Sequence, residues 1–573
     1  MSKMFFSYCS WLFFVAFFQS GMGFANDKIS IIVKNKSLTV EVEQPHALDA
    51  QKSLSSSAAT SPTRAKTYQL LEVSASEYAE LVKRDDIEIL GENFPLYPNV
   101  QTVDLEATGV LSLRDTGSAN AFQGDGKTVV VIDSGVELEH PHLETRLVPG
   151  ACFGTNRINE LNNFTHVSHC ARSRDDLFIE ESSLIGGDAG KNCRILNASP
   201  EEIAASYAAC THGTHIAGII TGTIKDSVAP LSKVMPIQVF SEVYQRFINE
   251  ENNPFQLCRE GLDTCQVAMV SDVLRALDWL NTQADTTDIA AINLSIGGLP
   301  SAGVCDNESP LHQEFNQLTQ ALADKGIVTV AAAGNQSDNN SIDFPACLSA
   351  VVAVGASEST FSLGSLWAPF SNDSDVIELV APGDSIDSST WQVDIDLDGE
   401  LNDYAAISGT SQSTAFVSGA AAVLSAIPVD GDLAKTGQDI RRHLLQTSDF
   451  VTSPNRTHPL LDLVSAAEDY RRPGVKFSNS PTSIIVNSTE NLTLQSYGIN
   501  QANLNYFWDF DYQSTAPGFI TGSKTQSHTF ATPGNYTIAA YASEGERESV
   551  VMTQDVTVYD PVVVMIPILG LLL

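Results

Sequence analysis

The sequence is poor in basic residues, and this shortage restricts the functions it can have. Its 573 residues contain 32 Lys and Arg against 69 Asp and Glu, which gives a formal net charge of −37. Proteins that bind nucleic acid need basic side chains to neutralise phosphates, so this balance excludes a nucleic-acid partner. The acidic residues are spread along the chain, which favours an extracellular protein kept soluble by charge repulsion. At ~150 residues per unit, the length predicts three or four units.

The sequence also lacks an apolar run long enough to cross a membrane. The run at residues 4–18 is shorter than the ~20 residues that a spanning helix needs. Lys3 precedes this run, and the small residues before position 26 offer a cleavage point after Ala25. Residues 1–25 are therefore predicted to be a signal peptide, with a membrane anchor as the alternative.

Cysteines are few, but their number fits an exported protein. Cys9 leaves with the signal peptide, and the remaining even number suits oxidising surroundings. We expect bridges from Cys258 to Cys265 and from Cys305 to Cys347, with two more inside residues 152–210. A zinc site is the alternative for part of this set, although its spacing matches no usual pattern. The cysteines in the predicted bridged region are Cys152, Cys170, Cys193 and Cys210, and the zinc alternative joins the last two to His212 and His215.

Residues 26–105 are predicted to form a small α+β unit after a linker. The linker is the Ser- and Ala-rich "QKSLSSSAATSPTRAK". The strand pattern "YQLLEV", the amphipathic helix pattern "SASEYAELVKR" and the strand pattern "IEILGEN" follow it. This unit is too small to be an enzyme, and taken alone it could be a binding module.

Three polar residues follow strongly patterned segments further along the chain. In "GKTVVVIDSGV", a buried strand is predicted to end at Asp133, and parallel sheets place chemistry at such ends. In "THGTHIAGIITG", the glycines permit close packing of a helix that is expected to begin near Thr211 and to carry His212 and His215. No H-E-x-x-H glutamate accompanies these histidines, which weakens a metallopeptidase interpretation.

The third polar residue is a serine at the start of a helix. The segment "YAAISGTSQSTAFVSGAAAVLSAI" predicts a tight turn that leads into an Ala-rich helix beginning near Ser411. Backbone N–H groups at a helix N-terminus favour an anion, such as the one formed when a serine attacks an amide carbonyl. Because a serine hydroxyl is a weak nucleophile, it needs a nearby base to accept its proton.

Asp133, His212 and Ser411, in this order, resemble the three catalytic segments of the subtilisin-like serine proteases, and the resemblance covers about residues 120–470. It implies an α/β core at residues 106–473, with a mainly parallel sheet flanked by helices. It also implies Ser411 as the nucleophile, His212 as the general base, Asp133 as the group that orients His212, and a structural role for His215. Residues 26–105 resemble the inhibitor and chaperone propeptide of this family.

The resemblance extends to two further segments. "GIVTVAAAGNQS" matches the family strand that is followed by an oxyanion-binding asparagine, which is Asn335 here. "AAINLSIGG" matches the strand that pairs with the substrate main chain, so Ser295, Ile296 and Gly297 are expected to bind substrate. Such pairing involves the main-chain atoms of the substrate, so it leaves the cleavage specificity undetermined.

The sequence departs from the family pattern beside the nucleophile and before His212. Gln412 stands where Met is usual, and Ala415 stands where a proline usually occurs, which we expect to change the rigidity of the helix start rather than the role of the serine. The long segment between Asp133 and His212 predicts a disulfide-bearing insertion over the cleft.

No cofactor is expected for the chemistry, and structural calcium is an open alternative. Asp394, Asp396 and Asp398 are spaced like the first half of a calcium loop, but Ala405 stands where an EF-hand needs Glu. An acidic surface turn is the favoured interpretation of this segment.

Residues 475–560 are rich in Thr and Val and predict a separate antiparallel β-sandwich. Its "YFWDFDYQS" and "HTFATPGNYTIAAYAS" resemble the polycystic-kidney-disease-type (PKD) domain, with Trp508 in the core and a hairpin turn at Pro533 and Gly534. Substrate adhesion and simple spacing remain alternative roles for it. The apolar residues 561–573 are interpreted as a truncated sorting or anchoring tail, or as a packed strand, so cell-surface attachment stays open.

Together, these patterns predict a secreted serine endopeptidase that is made as a self-processing zymogen. Its expected partners are protein or peptide substrates and its own propeptide. The alternative is a catalytically idle surface-binding or adhesion protein that keeps the fold.

Overall fold

The structure is a computed structural model. No helix among the residues that it describes is long and apolar enough to cross a membrane. The predicted signal peptide and the acidic turn with Asp394, Asp396 and Asp398 lie outside those residues, as does the tail beyond residue 561. The described residues are 29–35, 68–73, 75–84, 86–92, 95–98, 123–158, 164–170, 181–185, 189–191, 200–222, 227–245, 258, 264–283, 288–358, 366–393, 402–427, 430–431, 436–446, 450–478, 481–498 and 501–561.

An eight-stranded sheet forms the centre of the molecule, and strands are numbered here along the chain. Neighbouring strands are parallel, except that the last one is antiparallel to its neighbour. Every residue of the strand that ends at Asp133 is buried, as its apolar sequence predicts. In spatial order the strands are β18 (Leu379–Pro382), β17 (Val352–Ser357), β15 (Val328–Ala332), β13 (Ile289–Leu294), β5 (Thr128–Asp133), β10 (Lys233–Gln238), β6 (Ala151–Thr155) and β9 (Glu181–Ile185).

Helices cover both faces of this sheet. Because side chains alternate along a strand, Val129 and Val131 pack with one set of helices, and Val130 and Ile132 pack with the other. This arrangement confirms the predicted α/β core. The first set is α2 (Pro200–Thr221), α5 (Thr410–Ala426), α6 (Gly437–Leu444) and α7 (Leu463–Tyr470), and the second is α3 (Val270–Gln283) and α4 (Pro310–Asp324).

The start of α2 corrects the prediction from the sequence. The helix begins at Pro200 rather than near Thr211, so His212 lies well inside it. Proline is favoured in the first helical turn, and the two acidic residues and the alanines that follow extend the helix toward the N-terminus. His212 is therefore positioned by helix packing and not by a helix N-terminus.

A second, antiparallel sheet runs beside the central one. One of its strands comes from the N-terminal region of the chain and lies between two strands of the core. Strands from the segment between Asp133 and His212 extend the edges of both sheets, while the predicted overhang of that segment above the cleft stays a prediction. In spatial order the strands are β16 (Ile342–Phe344), β14 (Ile296–Ser301), β4 (Pro95–Pro98), β12 (Thr264–Met269), β11 (Phe240–Tyr244), β8 (Phe164–Ser168) and β7 (Arg157–Ile158).

The N-terminal residues form a small antiparallel sheet with one short helix. The two predicted strands and the predicted helix are present, and a further strand, β1, lies between the two. The sequence analysis missed β1 because its pairing with β2 and β3 is long-range. The elements are β1 (Ile29–Asn35), β2 (Tyr68–Val73), α1 (Ala75–Leu81) and β3 (Ile87–Glu92).

This N-terminal unit packs directly on the core. Ile32, Leu70 and Leu90 belong to the same buried cluster as α3 and α4. The ammonium group of Lys34 bonds both carboxylate oxygens of Glu314 on α4, at 2.8 and 2.7 Å. The unit is therefore attached to the core through apolar packing and one ion pair.

The C-terminal residues form a β-rich unit with its own core, as predicted. Trp508 is fully buried at the centre of that core. The predicted hairpin at Pro533 and Gly534 is wrong, because the strands before and after this turn pair with other strands and not with each other. The strands are β21 (Asp430–Gly431), β24 (Gly474–Phe477), β25 (Ser483–Ile485), β26 (Thr489–Gly498), β27 (Asn505–Asp509), β28 (Ile520–Gly522), β29 (Thr525–Thr529), β30 (Gly534–Glu544), β31 (Arg547–Glu548) and β32 (Met552–Tyr559), with a 3₁₀ turn at Gln501–Asn503.

Two small hairpins complete the described structure. The first, β19 (Ile386–Val393) with β20 (Asn402–Ile407), packs against α2. The second joins β22 (Phe450–Thr452) and β23 (Thr457–Pro459). The first of these contacts the helix that carries the candidate histidines, and it is therefore part of the site described below.

Disulfides occur where the sequence predicted them. Two bridges match the predicted pairs, Cys258–Cys265 and Cys305–Cys347, and a third joins Cys152 to Cys170. Cys210 is also disulfide-bonded, which removes it as a thiolate ligand of the alternative zinc site. Cys193 lies outside the described residues.

We predict that Trp508→Ala lowers the free energy of unfolding of the C-terminal unit by about 3–5 kcal/mol, because it empties the centre of a closed core. The matched control is Ile520→Ala on the facing strand, where the side chain is 52% exposed and little packing is lost. Calorimetry of both variants tests the difference, and equal losses would contradict the assigned core.

Candidate active site

The carboxyl group of Asp133 lies at the end of β5, where it is fully buried. The backbone N–H of Ser134 donates to its Oδ1 at 2.7 Å. Helix α2 comes close to this strand end because Gly213 has no side chain, and a Cβ at that position would collide with the carbonyl oxygen of Gly135. The strand end and the glycine together bring α2 within hydrogen-bond distance of the carboxylate.

His212 makes that contact from α2. Its Nδ1 lies 2.8 Å from Oδ1 and 2.9 Å from Oδ2 of Asp133. A carboxylate only accepts hydrogen bonds, so Nδ1 carries the proton and Nε2 of the neutral ring is an acceptor. Nε2 is buried and has no hydrogen-bond partner among the described residues. The geometry thus selects one tautomer and leaves a basic nitrogen available.

Ser411 lies in the first turn of α5, as predicted, and is fully buried. Helices α5 and α2 pack against each other. Gln412, the next residue, places Nε2 3.3 Å from Nδ1 of His215, one turn beyond His212. The start of α5 therefore lies beside the turn of α2 that carries His212. In this arrangement the Ser411 hydroxyl donates to the carbonyl oxygen of Ser295 at 2.9 Å instead of to His212.

The side chain of Asn335 is oriented by the residue before Ser411. Its Oδ1 accepts hydrogen bonds from the backbone N–H and the hydroxyl of Thr410, both at 2.9 Å. The Thr410 hydroxyl in turn accepts the N–H of Gly334 at 3.2 Å. Because Oδ1 is held by Thr410, the amide N–H₂ of Asn335 points to the other side of the group. A donor is thus fixed next to the helix start of Ser411.

The strand segment at Ser295, Ile296 and Gly297 forms one wall of the site. The hydroxyl of Ser295 donates to the carbonyl oxygen of Ser411 at 2.9 Å and accepts from the side-chain amide of Asn293 at 2.8 Å. Ile296 and Gly297 begin β14 and pair with Pro98 and Tyr97 of β4. This wall therefore binds an extended chain through its backbone.

His215 has a different environment from His212. Its Nε2 donates to the carbonyl oxygens of Ile386 and Ala405, at 3.0 and 3.1 Å, which ties α2 to the β19–β20 hairpin. Burial, with a smaller effect of His212, lowers the pKa of His215 to about 3, so the ring is neutral. Gln412 donates to its remaining nitrogen. The ring therefore anchors the hairpin.

Ala415, the second departure from the family pattern, is fully buried in the cluster shared by α2 and α5. No group of three possible metal ligands occurs among the residues that the structure describes. The carboxylates proposed for calcium lie outside those residues.

The sequence analysis missed several residues that orient the site. Thr410 was seen only as part of a turn, although its position next to Ser411 is a usable signal. Asn293 acts on Ser411 through Ser295, and Ser418 of α5 donates to its side chain at 3.0 Å. Asn372 accepts the N–H groups of Gln336 and Asp338, both at 3.0 Å. No local pattern identifies Asn293 or Asn372, because their partners are distant in sequence.

Comparison with known proteins gives a consistent result. The Subtilase family (Peptidase_S8) matches residues 124–498. The chain is 28% identical to "Subtilisin-like protease 3" of Pseudogymnoascus destructans over 54% of this chain and 54% of that protein. It is 29% identical to "Minor extracellular protease Epr" of Bacillus subtilis over 45% of this chain and 35% of that protein. The alignments thus span about half or less of these relatives.

Among solved structures, the chain is similar to fervidolysin from Fervidobacterium pennivorans, described as a keratinolytic enzyme related to subtilisin. The identity is 15% and the TM-score is 0.46, over 92% of this chain and 91% of that one.

We predict that His215→Ala lowers the free energy of unfolding by about 2–4 kcal/mol, because it removes two buried hydrogen bonds and leaves a cavity under the hairpin. The control is Gln412→Met, which loses one long hydrogen bond but also a buried Oε1 that has no partner among the described residues. Its expected change is below about 1 kcal/mol. Urea denaturation measures both, and a larger loss for Gln412→Met would overturn the anchoring role of His215.

Proposed function

The chain belongs to the subtilase family, and we propose that it is a secreted serine endopeptidase in which Ser411, His212 and Asp133 form the catalytic triad. The observation that carries this proposal is the buried hydrogen bond from Nδ1 of His212 to Asp133. It gives His212 the tautomer that a general base needs and directs the basic Nε2 to the space beside the start of α5.

The proposed chemistry is an acyl transfer in two halves. A change of rotamer takes the Ser411 hydroxyl from the Ser295 carbonyl to Nε2 of His212. The oxygen then attacks the peptide carbonyl carbon while Nε2 takes the proton, and Asp133 stabilises the resulting imidazolium. His212 returns the proton to the leaving amine as the C–N bond breaks, and water repeats the sequence on the acyl-enzyme.

Asn335 is proposed to stabilise the oxyanion of both tetrahedral intermediates. Its amide N–H₂ is directed away from Thr410, and the backbone N–H of Ser411, in the first turn of a helix, is the proposed second donor. Both donors are set by backbone contacts before substrate binds, so little reorganisation is needed during the reaction.

We propose that the substrate binds as an added strand between β14 and β12. In the precursor, this position is occupied by β4, whose Leu96 and Pro95 pair with Ala268 and Met269. The bonds involve main-chain atoms, so they suit many protein sequences. Ser295, Ile296 and Gly297 are the substrate-binding residues on one side of this groove.

The position of β4 supports a zymogen. The strand belongs to the proposed propeptide, residues 26–105, which packs on the core through Ile32, Leu70 and Leu90 and through the ion pair of Lys34. A segment held in the groove by its own folded unit blocks substrate until it is cut and released. The N-terminal signal segment and the disulfides are consistent with export, and the C-terminal β-rich unit is proposed to be PKD-like.

We predict that a fluorophosphonate labels Ser411 of the wild-type protein and that the same protein hydrolyses casein. We also expect the first peptide bonds beyond Pro98 to be cut, because β4 runs toward Ser295 and hence toward Ser411. Mass spectrometry of the labelled residue and of the new N-terminus measures both results.

The control is Ser411→Ala, which should remain uncut, unlabelled and folded. Absence of both labelling and casein hydrolysis in wild-type protein freed of its N-terminal unit would overturn the enzyme assignment. That outcome would favour an idle binding protein that keeps the fold.

We predict that Asn335→Leu lowers kcat by about 100- to 1000-fold and changes KM little, because the lost donor acts mainly in the transition state. The matched control is Asn340→Leu, which makes the same substitution on the exposed part of the same loop. Steady-state kinetics on a peptide substrate measure both, and a loss confined to KM would contradict the oxyanion role.

A further inference from the structure

Asp343 is a buried acid that the proposed chemistry does not use. It lies at the centre of the short strand β16 and is 2% exposed. Its backbone N–H donates to the carbonyl oxygen of Ala333 at 2.9 Å. Asp343 is therefore attached to the segment that leads directly into Gly334 and Asn335.

The carboxyl group of Asp343 faces that same segment. Its Oδ2 accepts one hydrogen bond from the side-chain amide of Gln336, at 3.2 Å. A Cβ built on Gly334 would lie 2.7 Å from Oδ2 and closer still to the side-chain amides of Asn372 and Gln336, so the absence of a side chain at Gly334 lets these polar groups pack against the loop backbone. Gln336 is an exposed residue, and its side-chain oxygen accepts a hydrogen bond from the amide of Asn372 at 2.6 Å. The acid therefore lies just beneath the residues that flank Asn335.

On its other side, Asp343 is next to the strand that binds an extended chain. Strand β16 pairs with β14, where Pro300 is opposite Asp343 and the register shifts between Gly298 and Pro300. The same β14 pairs with β4 at Ile296 and Gly297. Asp343 thus lies between the wall that binds the substrate backbone and the wall that carries the oxyanion donor.

No cation compensates this acid within the described part of the chain. None of the ion pairs found there involves Asp343. Burial raises the pKa of Asp343 to about 6, and the hydrogen bond from Gln336 offsets this only in part. A buried carboxylate without a cation is costly, and a cation brought by a ligand would reduce that cost.

A peptide bound in the proposed groove would direct one side chain toward this acid and toward the Gln336 side chain that bonds it. The residue whose carbonyl oxygen bonds Asn335 has its side chain between the two walls, because its backbone is held by β14 and its carbonyl by Asn335. We propose that Asp343 makes the site prefer Arg or Lys immediately before the cleaved bond. This preference rests on the proposed endopeptidase function and adds the substrate class to it.

The test uses four peptidyl-aminocoumarin substrates that differ only in the residue before the dye: Arg, Lys, citrulline and Leu. Citrulline has the size of Arg but no charge. The enzyme used is cut after its N-terminal unit and keeps its C-terminal unit. At pH 8 we expect its kcat/KM for the Arg substrate to exceed that for the citrulline substrate by about tenfold or more. In Asp343→Asn the ratio of the two kcat/KM values should fall to about threefold or less, while kcat/KM for the citrulline substrate changes little.

The matched control is Asp338→Asn, which removes the same charge from an exposed position five residues away and should keep the Arg preference. Asp343→Ser repeats the test if Asp343→Asn does not fold. Fluorophosphonate titration of Ser411 counts the working sites in each preparation. Two results would overturn the preference. One is a wild-type kcat/KM for the Leu or citrulline substrate equal to that for the Arg substrate. The other is an Arg-to-citrulline ratio that is unchanged in both Asp343 variants. Absence of labelling and of all cleavage would instead overturn the endopeptidase function.

The dependence of the Arg preference on pH gives a second readout. Around Asp343, β14 contributes no titratable side chain, the loop after Asn335 contributes Asp338, and the next loop contributes Asp373, which is itself ion-paired. His312 packs against the neighbouring ring of Phe344.

Because the pKa of Asp343 is raised, its charge is present above about pH 6 and is lost below that value. The kcat/KM ratio of Arg over citrulline should therefore fall as the pH decreases through about 6. Effects of pH on the catalytic steps common to both substrates cancel in this ratio. The Arg-to-citrulline ratio of Asp343→Asn should not change with pH. A wild-type ratio that does not change between about pH 5 and about pH 8 would contradict the assignment, because these limits lie roughly one unit or more from the expected midpoint.

Discussion

The hydrogen bond between Nδ1 of His212 and the carboxylate of Asp133 is the interaction on which the site depends. Both side chains are fully buried, and a buried carboxylate is stable only when donors surround it. His212 and the N–H of Ser134 are such donors. The bond requires α2 to approach the end of β5 closely, which the missing side chain of Gly213 allows. One consequence is chemical, because the bond selects the tautomer in which Nε2 can accept a proton.

The groove that we propose for substrate is the one that β4 of the N-terminal unit occupies. Its walls, β14 and β12, leave a gap that one extended strand fills, and β4 occupies this gap. Main-chain pairing makes the groove tolerant of sequence, so affinity for the N-terminal unit must come from contacts elsewhere. The packing of Ile32 and Leu70 and the ion pair from Lys34 to Glu314 supply them outside the groove. Cutting the chain beyond β4 would separate these two sources of affinity.

Some features were readable from local sequence because they depend on neighbouring residues. An apolar β-branched run predicts the buried strand that ends at Asp133, and a Gly-Thr-Ser turn before alanines predicts the helix start at Ser411. Elements that form only by pairing with residues distant in sequence were not predicted correctly. Strand β1 forms only by pairing with β2 and β3, and the turn at Pro533 connects strands that have other partners. The predicted start of α2 is too late because glycines are weak helix formers, whereas the helix-forming residues after Pro200 extend the helix to that residue.

The sequence by itself determined which chemistry is possible, because Asp133, Ser411 and Asn335 each stand in a motif whose local structure directs them to a strand or helix end, and His212 stands in a glycine-containing helix motif. Tertiary structure alone decided their environments. It placed Nδ1 of His212 on a carboxylate and Nε2 of His215 on two carbonyl oxygens, although the two residues are three positions apart on one helix. It also placed Asp343 under the oxyanion loop, since burial and cross-strand pairing are properties of the folded chain and not of any segment.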